Sequence, residues 1–260
     1  THDRRALDSW GDERIDRRLR ELGVDGQLIR RMTMVEPPYP QGYTPSMVFT
    51  QPPVERLLRE RVARLPGVQV ELSTECRHVA QDPDGATLDL HGPTGHRQVR
   101  ASYVIACDGG ASPVRTQLGL ELEDLDFDEP WLVVDVMVND QGLAKLPITS
   151  VQYCEPDRPC TMVIGPGRHR RWEISLKPGE DPAEVATPEA TWRLLSRWLT
   201  PEDGTLWRQS SYRFHALVAA HWRQGRVFLA GDAAHMQPPF LGQGMCQGIR
   251  DAANLCWKLA

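Results

Sequence analysis

The segment from Arg226 to Met245 constrains the fold of this chain more than any other. It reads RVFLAGDAAHMQPPFLGQGM: an apolar strand ends on Gly231-Asp232, and a Pro-rich turn then leads into a Gly-rich helix start. Glycine lets a ligand approach the backbone, and the Asp232 carboxylate suits the hydroxyls of a sugar or polyol. Free N–H groups at a helix start favour an electron-rich or anionic group. The pattern predicts a ligand site, and the alternative is an ordinary strand–loop–helix connection.

A second segment, Tyr103 to Arg115, follows a similar plan. It reads YVIACDGGASPVR, an apolar strand that ends on Asp108-Gly109 before a short helix carrying Ser112. On its own a D-G-G sequence is more typical of an ordinary turn than of a site. Its functional interpretation therefore depends on the rest of the chain.

The chain between these two segments has a different sequence pattern. Short apolar runs separated by Pro and Gly turns predict an antiparallel sheet, interrupted by a helix at about Pro188–Leu199. The predicted strands are Trp131–Val138, Ser150–Cys154, Thr161–Ile164, Arg171–Lys177 and the extended run Leu206–Val218. The order of elements predicts an α/β class fold, in which a β-sheet-rich domain is inserted into a discontinuous α/β domain.

The first hundred residues are predicted in less regular pieces. Ile15, Leu19 and Leu22 have helical spacing and are followed by Gly23, which predicts an amphipathic helix. Four prolines between Met32 and Phe49 predict a loop. The remaining predictions are a helix opened by Pro52-Pro53 and stopped by Pro66-Gly67, a strand at Val68–Leu72, and a hairpin of Thr87–His91 with Gln98–Ala106.

Composition excludes several classes of protein. The net charge of −5 argues against a nucleic-acid-binding protein with a basic surface, and no run approaches the length of a membrane span. The six cysteines include no C-x-x-C, and no apolar leader follows the charged start, so we expect reduced thiols in a cytoplasmic protein. The histidines lack metal-ligand spacing, and we expect no metal.

The two motifs together resemble those of the class A flavoprotein monooxygenases, the FAD-dependent aromatic-ring hydroxylases. In that family a D-G motif and a G-D motif recur in this order and at about this separation, here Asp108-Gly109 and Gly231-Asp232. The resemblance covers essentially the whole chain and includes Gln51 at the start of a helix. Within the family, the chain is most similar to the hydroxylases of 3-(3-hydroxyphenyl)propionate, in the segments ACDGGAS at 106–112, YCEPDRP at 153–159 and RRWE at 170–173.

The resemblance implies a Rossmann-like, three-layer FAD-binding domain and a substrate domain. The implied FAD-binding domain is discontinuous and comprises residues 1–30, 51–120 and 222–260. The substrate domain comprises residues 31–50 and 121–221. The N-terminal strand–G-x-G-x-x-G–helix fingerprint of the family is absent from this chain. We therefore expect the chain to be the interior of a longer flavoenzyme, or else to bind FAD poorly or not at all.

The resemblance also implies the residues that bind the cofactor. Asp232 would hold ribityl or ribose hydroxyls of FAD, with Gly231 giving clearance, and Gln51 would lie near the pyrophosphate. Asp108 and Gly109 would shape the pyrophosphate and NAD(P)H region. The flavin ring would be lined by Pro239, Gly242, Gly244 and Met245, with backbone N–H groups facing its N1–C2=O edge. The sequence departs from many relatives at Cys246, where they have Asn.

The implied reaction is hydroxylation of a phenolic aromatic acid to a catechol. NADH or NADPH would reduce FAD, O₂ would form a flavin hydroperoxide, and its terminal oxygen would go to the ring. No catalytic acid–base pair is assigned. The alternatives are a polyketide or other aromatic hydroxylase of the same family, and a non-catalytic FAD- or ligand-binding relative. A halogenase is disfavoured because no W-x-W-x-I-P-like segment is found.

Some residues of the predicted sheet have two interpretations. An aromatic substrate could contact Tyr153, Met162, Tyr212 or His215, although packing is the default for each. The basic run Arg168–Arg171 could bind phosphate, but a solvated strand end is the preferred interpretation.

Overall fold

The computed structural model describes residues 16–23, 26–32, 37–44, 47–240 and 242–260. They form two compact units. The first unit comprises residues 1–68 and 129–213, and the second comprises residues 69–128 and 214–260. Strands β7 (Leu122–Val138) and β11 (Gly204–Ala219) continue from one unit into the other along the sequence.

The other strands are short. In chain order they are β1 (Asp16–Leu22), β2 (Leu28–Met32), β3 (Glu75–Asp82), β4 (Gly85–Gly92), β5 (Gly95–Ala101), β6 (Val104–Ala106), β8 (Thr149–Tyr153), β9 (Cys160–Ile164), β10 (His169–Ser175), β12 (Arg223–Gln224), β13 (Val227–Leu229) and β14 (His235–Met236). The helices are α1 (Gln51–Val62), α2 (Pro113–Gln117), α3 (Asp140–Lys145), α4 (Pro182–Val185), α5 (Pro188–Leu195) and α6 (Gly244–Leu259). The mixed α/β class is confirmed, and no helix in the described ranges is long and apolar enough to cross a membrane.

The first unit is built on a mixed sheet in the order β11-β7-β10-β9-β8-β1-β2. Alternate residues of each strand face one side, which places Leu132, Val134 and Val136 of β7 beside Trp172 of β10 in the core. Helix α5 and the turn after it cover this face with buried Leu195 and Leu199. The strands and the helix predicted between Trp131 and Val218 are confirmed, because each predicted strand overlaps an observed one.

The helix predicted around Ile15, Leu19 and Leu22 is wrong for its described part. Residues Asp16–Leu22 form β1, and Ile15 lies outside the described residues. Strand β1 pairs in parallel with β8 and antiparallel with β2. Two flanking ladders satisfy its backbone groups, so tertiary pairing overrides a helical spacing that rested on three side chains.

The second unit contains two three-stranded sheets. One is the antiparallel meander β3-β4-β5, whose predicted hairpin is confirmed, since His91 pairs with His96 and Gly92 with Gly95. The other has the order β12-β13-β6. Buried Val104 and Ala106 of β6 lie in one core cluster with Val227 and Leu229 of β13.

The strand predicted at Val68–Leu72 is wrong. These residues have no regular structure, and Val68, Val70 and Leu72 are 48%, 60% and 67% exposed. A strand is stable only when a neighbour pairs with it, and no described strand does so here. The compact units group residues 1–68 with the β-rich part, and the predicted domain boundaries stay a prediction.

Candidate functional site

The two strands that precede the D-G and G-D motifs lie side by side in the second unit. Strands β6 and β13 are parallel, with Val104 opposite Val227 and Ala106 opposite Leu229. The Ala230 N–H donates to the Ala106 carbonyl at 3.0 Å and extends this pairing. The carboxyl ends of parallel strands meet at one edge of a sheet, where ligands of α/β proteins bind. The structure therefore brings the two motifs together.

The Asp108 carboxylate accepts hydrogen bonds from neighbouring groups of the fold. One oxygen accepts a hydrogen bond from the Ser112 hydroxyl at 2.5 Å, and the other accepts one from the Val114 N–H at 3.0 Å. Ser112 in turn accepts a hydrogen bond from the Arg115 N–H and caps helix α2. The D-G turn is thus fixed to the start of the helix that comes after it. A role of Asp108 in cofactor binding stays a prediction.

The Gly231-Asp232 turn is different. Residues Gly231–Ala233 form a 3₁₀ turn, and Gly231 has φ +61°, which is a left-handed conformation that favours glycine. The Asp232 side chain is exposed and makes no hydrogen bond or ion pair within the described part of the chain. Its carboxylate is available to accept hydrogen bonds from a ligand.

A cavity of about 430 Å³ opens beside both turns. Gly109, Gly231, Asp232 and Gly248 line it, together with Cys107 and apolar side chains of β6 and α6. A Cβ added at Gly109 or Gly231 would meet nothing within 4 Å, so both glycines face open space. Desolvation raises the pKa of the Cys107 thiol, which is therefore neutral in this wall. The cleft is largely apolar and contains one carboxylate as a hydrogen-bond acceptor, which fits the hydroxyls of a polyol or nucleotide ligand.

Arg115 joins the two turns. Its guanidinium is buried and donates to the Gly110 carbonyl at 2.7 Å and to the Ala233 carbonyl at 2.9 Å. One side chain on α2 therefore fixes the D-G turn and the G-D turn relative to each other. Sequence reasoning did not assign this role to Arg115, because its partners are backbone carbonyls, one of them 118 residues away.

The first N–H groups of a helix have no partner within the helix itself, and this holds for the start of α6. The helix begins at Gly244, and its N-cap residue Gln243 makes no side-chain capping hydrogen bond. Gly242 has φ +61°, and its N–H donates to the Pro239 carbonyl at 2.7 Å, which closes the turn before the helix. Met245 is 51% exposed on the first helical turn. The dipole of a helix of this length places partial positive charge at this end, which suits an electron-rich group.

The other sequence candidates have contacts of their own. Gln51 begins α1 in the first unit, where its amide donates to Glu55 at 2.6 Å. Met162 is fully buried and Tyr153 is 8% exposed, so both pack in the core as the default interpretation expected. Tyr212 and His215 are partly exposed, with Arg208 over the Tyr212 ring and Asp128 beside His215. No metal-binding group was found among the described residues.

Comparisons with known proteins agree with this geometry. Residues 3–260 match the family described as FAD binding domain. The chain is 41% identical over 221 residues to a probable NADH-specific resorcinol 4-hydroxylase of Rhodococcus jostii (strain RHA1), covering 84% of this chain and 41% of that protein. It is 39% identical over 224 residues to a 3-(3-hydroxy-phenyl)propionate/3-hydroxycinnamic acid hydroxylase of Klebsiella pneumoniae (strain 342), covering 84% and 39%.

A solved structure shares the fold. The complex of aklavinone-11 hydroxylase with FAD and aklavinone superposes with a TM-score of 0.80 at 28% identity, covering 96% of this chain and 49% of that one. The chain spans about two fifths of the length of the curated relatives it matches. The resemblance inferred from the D-G and G-D motifs is confirmed. The chain belongs to the FAD-binding domain family.

Proposed function

We propose that this chain forms the cofactor-binding and substrate-binding part of a flavoenzyme that hydroxylates a phenolic ring. The observation that carries the proposal is the cavity at the carboxyl ends of β6 and β13. Three features meet there. They are the Asp232 carboxylate, which makes no hydrogen bond within the described residues, the open face of Gly231, and Gly248 in the cavity wall. These features suit FAD, because they offer a hydroxyl acceptor beside space that no side chain fills.

Each element has a role in binding the cofactor. Asp232 accepts hydrogen bonds from ribityl or ribose hydroxyls, and Gly231 leaves room for them. The first N–H groups of α6 donate to the electron-rich edge of the flavin, and the helix dipole stabilises negative charge there. Bound FAD supplies the redox chemistry, taking reducing equivalents from NADH or NADPH and using O₂ to oxygenate the ring. The protein contributes orientation, electrostatic support and exclusion of water.

The substrate class is inferred from the names of the relatives. Resorcinol and 3-(3-hydroxyphenyl)propionate are both phenols with a second substituent at the meta position. We propose a phenol of this kind as the substrate, with the new hydroxyl placed next to an existing one to give a catechol. A phenolic acid of the phenylpropionate type is the first candidate. A polyketide ring is the second, favoured by the fold shared with aklavinone-11 hydroxylase.

The experiment is a coupled oxidation assay on the protein expressed at its full encoded length. Purified protein with bound FAD absorbs near about 450 nm. NADH and NADPH oxidation is followed with 3-(3-hydroxyphenyl)propionate and with resorcinol, and products are identified by mass spectrometry. The control substrate is 3-phenylpropionate, which has the same acid chain but no phenol hydroxyl.

Support would be phenol-stimulated oxidation that yields one hydroxylated product per nicotinamide consumed, with no stimulation by 3-phenylpropionate. The proposal fails if the protein takes up no FAD. It also fails if every phenol leaves the oxidation rate unchanged, or if hydrogen peroxide is the sole product of oxidation.

A further inference from the structure

Asp251 lies on α6, outside the D-G and G-D motifs, and one of its carboxylate oxygens accepts two hydrogen bonds. The Gly231 N–H donates to Oδ2 at 2.9 Å, and the His235 Nε2–H donates to the same atom at 2.7 Å. The two side chains are largely buried, with 15% of Asp251 and 10% of His235 exposed. Charge-assisted hydrogen bonds in such surroundings are short and strong.

The two donors flank the turn that carries Asp232. Gly231 precedes Asp232, and His235 comes after the 3₁₀ turn Gly231–Ala233. A single oxygen on α6 therefore holds both ends of this turn. The helix also passes close by, since a Cβ added at Gly248 would lie 3.5 Å from the Gly231 Cα. Gly248 and Asp251 are three residues apart and so lie on one face of the helix.

A further contact fixes the His235 ring. The Trp222 ring stacks on it, with centroids 5.1 Å apart and an interplanar angle of 27°. An ionised carboxylate only accepts, so the Nε2 atom that faces Asp251 carries a proton. The imidazole is held in one orientation from two sides, and its donor is directed at α6 rather than at the cavity.

We infer that Asp251 is a positioning residue that holds the Asp232 turn against α6 in the geometry that FAD requires. The inference rests on the proposed function and deepens it. In the proposed function Asp232 would hold hydroxyls at one part of the cofactor, and the start of α6 would hold the flavin. Because both are tied through Asp251, losing this tie leaves the two binding elements intact but free to move relative to each other.

The test is the dissociation constant of FAD, measured by flavin fluorescence on apoprotein of full encoded length. Asp251→Leu removes both hydrogen bonds and weakens FAD binding by roughly ten- to hundredfold. Asp251→Asn keeps an acceptor oxygen and recovers binding to within about threefold of the parent protein. His235→Phe keeps a ring against Trp222 but loses one donor, and weakens binding by about three- to tenfold.

Arg250→Gln, at an exposed position of the same helix, is the control and leaves FAD affinity unchanged. Melting temperatures of the apoproteins are measured in parallel. If Asp251 only stabilised the fold, the melting temperatures of its variants would fall. Asp251→Asn would then bind FAD no more tightly than Asp251→Leu. The inference is overturned if Asp251→Leu binds FAD like the parent, or if Asp251→Asn binds as weakly as Asp251→Leu. Where Asp251→Leu does not fold, unchanged FAD affinity in His235→Phe overturns it. A parent protein that binds no FAD instead refutes the proposed function.

Discussion

The D-G turn and the G-D turn contain the same two residue types at the ends of adjacent strands, yet their carboxylates differ in the hydrogen bonds that they make. Asp108 accepts hydrogen bonds from Ser112 and from the Val114 N–H, so it is committed to starting α2. Asp232 makes no such bond within the described residues and faces solvent beside the cavity. The same two residue types therefore give a helix cap in one turn and, in the other, a carboxylate that lines the cavity without a hydrogen bond to the described residues.

The difference arises from the element that succeeds each motif along the chain. After Asp108 the chain enters α2 within a few residues, and the helix offers N–H donors that the carboxylate satisfies. After Asp232 the chain makes a 3₁₀ turn, and the Gly231 N–H and the His235 ring donate to Asp251. At this turn it is the Asp251 carboxylate, and not Asp232, that accepts the Gly231 N–H.

The largest effect on stability is expected for Arg115→Met, because Arg115 holds both turns. The change leaves the Gly110 and Ala233 carbonyls without their charged donor and costs about 3–4 kcal/mol in the free energy of unfolding. Urea unfolding of the apoprotein measures it. Arg77→Met removes an exposed ion pair with Glu75 and is expected to cost less than about 0.5 kcal/mol. Equal effects of the two variants would contradict the bridging role.

The next effect is expected for Asp108→Ala. The Val114 N–H and the Ser112 hydroxyl lose their acceptor, and α2 keeps only the hydrogen bond from the Arg115 N–H to Ser112 at its start, at a cost of about 2–3 kcal/mol. Asp84→Ala, at an exposed position in the same unit, is the control and should change stability by less than about 0.5 kcal/mol. An Asp108→Ala protein as stable as the parent would show that the hydrogen bonds of this carboxylate do not stabilise the fold.

Asp135, in the β-rich unit, is a carboxylate that accepts hydrogen bonds within the fold as Asp108 does. Its titration tests whether such a carboxylate stabilises the protein. Burial raises its pKa, but hydrogen bonds from His169 at 2.7 Å and from Arg171 at 2.8 Å outweigh that effect and hold the pKa at about 2. The folded-state pKa lies below the ordinary value of 3.8, so the stabilisation is complete above about pH 4 and is lost as the pH falls toward 2.

Asp135→Asn should therefore cost about 2 kcal/mol at pH 7, and the gap between parent and variant should narrow between pH 4 and about pH 2. Unfolding curves at several pH values measure this gap. Asp157→Asn is the control, because Asp157 is 94% exposed. A gap that is constant from pH 7 down to about pH 2.5 would contradict the assigned cause.

The smallest effect is expected for Gly110→Ala. An added Cβ would collide with the Met236 sulfur, which must move, and the cost is about 1–2 kcal/mol. Gly67→Ala, where nothing lies within 4 Å of the added Cβ, should be neutral or slightly stabilising. Thermal unfolding of the two apoproteins compares them. If Gly110→Ala melts at the temperature of Gly67→Ala, the close approach between the D-G turn and Met236 is not a packing constraint.

Local pattern predicted the parts of the fold whose partners are near in sequence. The hairpin of β4 and β5, helix α1 behind Pro52-Pro53 and the start of helix α6 are all predicted by their Gly and Pro residues. The prediction around Leu19 and Leu22 failed because β8, more than a hundred residues later, pairs with this segment. Segment 68–72 has strand propensity but no described partner strand.

The residues of the candidate site also separate into those that local sequence pattern predicts and those whose partners are distant in sequence. Gly231 and Asp232, which line the cavity, were predicted as site residues because a strand that ends on G-D is visible in the sequence. Arg115 and Asp251 were missed because their partners are backbone groups brought near by the fold. A signal for Asp251 existed: it is an acid within the weakly polar helix after the G-D motif, and a histidine stands four residues after Gly231.

The most direct test of the central claim is the FAD dissociation constant of Asp232→Ala apoprotein, with Asp84→Ala as the control. We expect Asp232→Ala to weaken FAD binding by roughly ten- to hundredfold. We also expect the apoprotein to melt at the parent temperature, because this carboxylate stabilises nothing in the described fold. An Asp232→Ala protein that binds FAD like the parent, or one that loses stability as Asp108→Ala does, would contradict the claim.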